Sequence, residues 1–156
     1  MADDARRQLL ERMDAGWQEL ETVVSRLEGR MDAEVGDGWR AEDLLAHIAL
    51  WERVARWKVT GDPVPGAEDL AAMEPFDLNR FNQTMRERWR DRGSDAVLME
   101  LRSAHAALVA TVEAADDASC APGGKAWTVI DEDGAGHYGD HLGALRAVIT
   151  GDALID

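Results

Sequence analysis

The sequence predicts an all-α protein, a four-helix bundle with a long connection between its second and third main helices. Two observations carry this. Apolar residues recur at three- and four-residue spacing over long stretches separated by glycine and proline breaks, and no stretch alternates with the period of two that a hairpin needs. With 156 residues, 46% of them hydrophobic, the chain can bury one good core. It is read as a single domain over 1–156.

The first helix is expected from Asp4 to about Glu28, where Leu9, Leu10, Met13, Trp17, Leu20, Val24 and Leu27 form one stripe with charges between them. The breaker stretch EVGDGW follows. A second helix then runs from Arg40 to about Thr60, with Leu44, Leu45, Ile48, Trp51 and Val54 on one face, and Gly61-Asp62-Pro63-Val64-Pro65-Gly66 ends it. A helical region beginning near Pro75, with Phe76, Leu78, Phe81, Met85 and Trp89 as its apolar positions, fills the long connection and breaks at Arg92-Gly93. Ser94 reads as the N-cap of a third main helix carrying Val97, Leu98, Leu101, His105, Leu108, Val109 and Val112. After the CAPGG loop, Thr128 and Asp131 resemble a capping box, and Asp131, Glu132 and Asp133 suit the positive end of a helix dipole. That fourth helix is expected to reach about Thr150, with Gly151 as its cap.

Charge limits the partners. Lys and Arg number 17 against 31 Asp and Glu, a net −14 that repels nucleic acid and anionic membrane surfaces, so neither is expected to bind. The one basic cluster, Arg86 to Arg92, alternates with acidic residues and reads as a solvated helix face. The opening MADDARRQLLERM lacks a signal-peptide pattern and no apolar run is long enough to span a bilayer, so a cytoplasmic location is expected. A single cysteine, Cys120, excludes an intrachain disulfide and multi-cysteine clusters. Within ADDASCAPGGK it reads as an inert loop thiol.

The four histidines are His47, His105, His137 and His141. In HYGDH, His137 and His141 are four apart and share a helix face, so both can reach one ion. Two ligands are seldom enough. His47, on the apolar stripe of the second helix, is the best third, because facing helices of a bundle are a recurrent place to assemble metal sites. Neutral imidazoles suit zinc, nickel, iron or copper better than magnesium or calcium, and zinc or nickel is the expected ion. The competing reading is a packed His47 bonded to a backbone carbonyl. Tyr138 stands where a zinc-protease HExxH pattern needs its glutamate, so peptide hydrolysis is not proposed. Asp43, one turn before His47, and Asp140, three residues after His137, are candidates to orient the imidazoles. Trp17, Trp39, Trp51 and Trp127 are candidate walls of an apolar pocket, though tryptophan at such positions is more often core. Gly134, Gly136, Gly139 and Gly143 leave the fourth helix poor in intrinsic propensity and dependent on tertiary support, or let a neighbour approach closely.

DGWRAEDLLAHIALWE, followed some ninety residues later by HYGDH and preceded there by AWTVID, resembles the DinB-like (DinB/YfiT-type) superfamily of metal-dependent four-helix bundles. DLNRFNQTMRERWRDRGSDAVLMELRSAHAALVATVEAA is similar to the subset allied to mycothiol-dependent maleylpyruvate isomerases and ClbS/DfsB-type proteins. The resemblance implies a homodimer and a divalent metal on one histidine of the second helix and two of the fourth, here His47, His137 and His141. It also implies that the metal activates a low-molecular-weight thiol such as mycothiol or bacillithiol. The expected function is therefore a metal-dependent enzyme acting on a small molecule, a thiol transferase or isomerase, or a hydrolase using activated water. The alternative is a non-catalytic module that sequesters a metal or a small compound. Arg53, Arg56 and Arg80 are candidates for a cationic patch at the pocket mouth.

Overall fold

A computed structural model of the protein describes residues 4–151. Four long helices form the bundle: α1 (Asp4–Arg26), α2 (Ala41–Thr60), α5 (Ser94–Ala114) and α8 (Ala135–Thr150). Short helices α3 (Glu68–Ala71) and α4 (Leu78–Trp89) occupy the long connection, and α6 (Asp117–Cys120) and α7 (Lys125–Glu132) link α5 to α8. Helices α1 and α2 each pack against both α5 and α8. No helix among the described residues is long and apolar enough to cross a membrane.

The predicted stripes become the core. Leu20, Val24, Leu27, Leu45, Ile48, Leu101, Leu142 and Leu145 are buried together at its centre. A second cluster around Leu9, Met13, Leu108 and Ile130 closes the α6–α7 end, and a third, with Leu50, Val54, Leu70, Phe81 and Met85, seats α3 and α4 on α2. Helix α2 starts where Asp43 accepts from the backbone N–H of Arg40 at 2.8 Å, a reciprocal cap that also binds the Arg40 guanidinium. It stops at Gly61, whose φ of 79° is the left-handed conformation that only glycine adopts at little cost.

Five expectations need correction. The EVGDGW break is a small antiparallel hairpin, β1 (Glu34–Gly36) with β2 (Trp39–Arg40), turned by Asp37 and Gly38 at positive φ (52° and 77°). Asp-Gly is the common sequence for that turn, so the signal was present. Phe76 and Leu78 are half exposed because α4 begins only after the Asp77 cap, which accepts from Arg80 N–H. Gly93 is the residue capping α5, and the Ser94 hydroxyl instead donates to Glu42 at 2.7 Å, tying the starts of α5 and α2 together. The predicted fourth helix is two helices, with Thr128 inside α7 and a break at Gly134 (φ −102°, ψ −125°). The break admits no side chain at Gly136, where a Cβ would collide with the Asp131 carbonyl, whereas Gly139 and Gly143 face open space. Cys120 lies in α6 and is buried.

Candidate metal centre

Helix α2 carries His47 and helix α8 carries His137 and His141. Packing α8 onto α2 brings the three rings together. Centroids of His47 lie 5.3 Å from His137 and 5.0 Å from His141, and the α8 pair are 4.6 Å apart. One ring nitrogen from each falls within 4.8 Å of the others, and Nε2 of His137 and His141 are 3.0 Å apart. Among the described residues no carboxylate joins this group.

The electrostatics suit a cation. Burial pushes His47 down to about 3, with His141 and His137 adding to the effect. Burial, with His141 adding to it against the opposing pull of Asp140 and Asp133, takes His137 to about 4. His141 is lowered for the same first reason. All three rings are therefore neutral at pH 7, each with a nitrogen lone pair free to ligate. The Nδ1 atoms of His47 and His137 are buried without a hydrogen-bond partner. Three neutral imidazoles converging at this range are a donor set fitted to a borderline divalent ion.

The surroundings are aromatic. Trp39 stands edge-on to His47 at 5.6 Å, and Trp51 lies 6.2 Å from His47 and 6.1 Å from His137. Asn82 of α4 accepts from Trp51 Nε1 at 3.1 Å and so fixes that ring. Trp39, Asp43, His47, Met85, Arg86 and Trp89 border a cavity of about 10 Å³, room for one water-sized group. The Arg86 guanidinium lies 4.7 Å over Trp39 and donates to the Gly38 carbonyl at 2.9 Å.

Of the sequence candidates, His47, His137, His141, Trp39 and Trp51 come together. Asp43 borders the cavity but is engaged by Arg40. Asp140 is exposed and reaches His137 and His141 only through its field. Trp17 and Trp127 lie elsewhere: Trp17 of α1 stacks on His105 of α5, and Trp127 of α7 lies 5.4 Å beneath Arg12 of α1. Arg53 pairs with Glu100, Arg56 pairs with Asp62 and Arg80 is exposed; none of the three borders the cavity, where the cation among the described residues is Arg86. Sequence reasoning missed Asn82 and Arg86. Their signal was the spacing Phe81, Met85, Trp89, which put the residue after each of the first two at the edge of the buried stripe of α4.

Comparison with known proteins adds a family. The model of the mycothiol maleylpyruvate isomerase N-terminal domain matches residues 13–147. No curated protein and no solved structure matches the chain.

Proposed function

The chain belongs to the mycothiol maleylpyruvate isomerase N-terminal domain family, a DinB-like four-helix-bundle family, and on that premise we propose that it is a metal-dependent enzyme acting with a low-molecular-weight thiol. His47, His137 and His141 hold the divalent ion, with zinc or nickel favoured by an all-imidazole donor set. The observation that carries the reading is the convergence of three buried, neutral imidazoles from two helices within 4.8 Å. A dication there supplies Lewis acidity, which lowers the pKa of a thiol or a water that reaches it.

The chain's own groups supply the rest. His47 comes from α2 and His137 and His141 from α8, and no fourth protein ligand joins them among the described residues, so three imidazoles would leave a position for an exogenous group. Trp39 and Trp51 set apolar surface beside His47 and His137, which would limit competition from bulk water for a thiol brought there. Arg86 places a positive charge at the adjoining cavity in a protein that is otherwise strongly acidic. The small size of that cavity favours a second reading, in which water is the activated group and the reaction is hydrolysis.

Elemental analysis of tag-free protein, with His47→Ala, His137→Ala and His141→Ala alongside, tests the metal. One equivalent in wild type and little in each variant is expected. Absence of divalent metal after reconstitution overturns the site. A screen pairing mycothiol-type thiols with electrophiles, run beside ester and amide substrates, separates thiol chemistry from hydrolysis. Stoichiometric metal with no turnover in either arm turns the reading to sequestration.

A further inference from the structure

One charged residue sits at a position where the sequence called for an apolar one. Glu52 follows Leu45 and Ile48 on the inward stripe of α2 and is fully buried. Its Oε1 accepts from the Tyr138 hydroxyl and lies 3.3 Å from His105 Nδ1, which is itself 3.4 Å from the Tyr138 oxygen. The His105 ring stacks on Trp17 at 3.9 Å with an interplanar angle of 5°. Trp17, Glu52, His105 and Tyr138 come one from each of α1, α2, α5 and α8. A polar knot thus joins all four long helices at the core. A buried polar group is costly unless bonded, so such a group is retained where its geometry matters.

Tyr138 is also the neighbour of His137 and three residues from His141, one helical step round from the face that carries them. The helix they share is weakly specified on its own: it is separated from α7 at Gly134 and carries three more glycines. Its apolar face can slide, but a hydroxyl bonded to a buried carboxyl cannot. The tyrosine ring also packs close to α1, where a Cβ on Gly16 would lie 3.5 and 3.7 Å from its edge. A ring nitrogen roughly 6 Å from the helix axis moves by about 1 Å for a rotation of about 10°. Metal–ligand distances tolerate about 0.2 Å.

We propose that Tyr138 and Glu52 are positioning residues for the metal centre, the hydroxyl-to-carboxyl bond setting the rotation of α8 that aims His137 and His141 at His47. This rests on the metal reading above. Burial raises the pKa of Glu52, and a glutamine at this position keeps an Oε1 that can accept from the Tyr138 hydroxyl.

The test uses the full chain and Co²⁺, whose visible absorption reports ligand geometry, with affinity measured by chelator competition. Tyr138→Phe removes one oxygen. It should lower affinity about 10- to 100-fold, the range for groups that orient metal ligands, and change the cobalt spectrum, while helix content by circular dichroism is kept. Glu52→Leu, which removes the acceptor and keeps the volume, should do the same independently. Glu52→Gln keeps the acceptor and should restore wild-type affinity and spectrum, a rescue that a merely space-filling role would not produce. Wild-type spectrum and affinity in Tyr138→Phe would overturn the inference alone, as would equal losses in Glu52→Gln and Glu52→Leu. A wild-type protein that takes up no cobalt overturns the metal reading and this inference with it.

Discussion

Acidifying the metal-free protein should destabilise it through the same histidines that form the candidate site. An unfolded imidazole titrates near 6.5, whereas the folded protein holds His47 at about 3 and His137 at about 4. Both folded values are depressed, so the unfolded chain binds more protons below pH 6.5 and stability rises with pH. The contribution is fully present above about 6.5 and is lost as pH falls toward the folded values. At pH 5 the unfolded state gains roughly 2 kcal/mol per histidine, since protonating a group about 1.5 units above the ambient pH is worth about 1.36 kcal/mol per unit. The two together cost roughly 4 kcal/mol, much of the 5–15 kcal/mol that holds a typical domain folded. Glu52 runs the other way. Burial raises it, so its share of stability is present at low pH and lost as pH rises. Comparing wild type with His47→Gln cancels that and every other shared titration. Urea unfolding of chelator-treated protein, followed by tryptophan fluorescence at pH 7 and pH 5, should show the wild type losing about 2 kcal/mol more than the variant over that interval. Losses equal within about 0.5 kcal/mol would refute the claim that the fold holds His47 neutral.

Other perturbations separate neighbouring positions. Gly136→Ala should lower the melting temperature by several degrees, because the added methyl meets the Asp131 carbonyl and overpacking costs about 1–3 kcal/mol. Gly139→Ala, with nothing within 4 Å of its Cβ, should instead raise it, by up to about 1 kcal/mol of helix propensity. Calorimetry on the two variants checks both signs. Cys120 is buried and its thiol is pushed up by that burial, so a thiol reagent at pH 7.5 should modify it only as the protein unfolds. Fast stoichiometric labelling of the folded protein would contradict this. Asn82→Ala removes the acceptor that fixes Trp51 and should shift the tryptophan emission and weaken small-molecule binding while leaving metal content unchanged, measured by fluorescence and elemental analysis.

Much of this was legible in the chain because the same side chains did two jobs. Leu45, Ile48 and His47 lie on adjacent faces of one helix, so the period that announced α2 also aimed His47. The i, i+4 spacing of His137 and His141 survived the misread start of α8, since the break at Gly134 lies before both. What escaped the sequence depended on direction. A tryptophan in an apolar stripe says that it is buried and not which neighbour it faces, and so Trp17 and Trp127 were grouped with Trp39 and Trp51. One charge in a stripe reads as an interruption, so the sequence alone gives Glu52 no role. Only the approach of Tyr138 and His105 from helices 86 and 53 residues away gives it a partner.

His47 and the α8 pair are separated by about ninety residues of chain, and only the long-range packing of α8 on α2 brings all three together. The cluster exists only when α2 and α8 are packed together. An ion held there would therefore report long-range order and would cross-link distant stretches of backbone as a disulfide does. In an acidic protein whose only cysteine is buried in a short helix, that reversible cross-link would be the staple the chemistry of the chain permits.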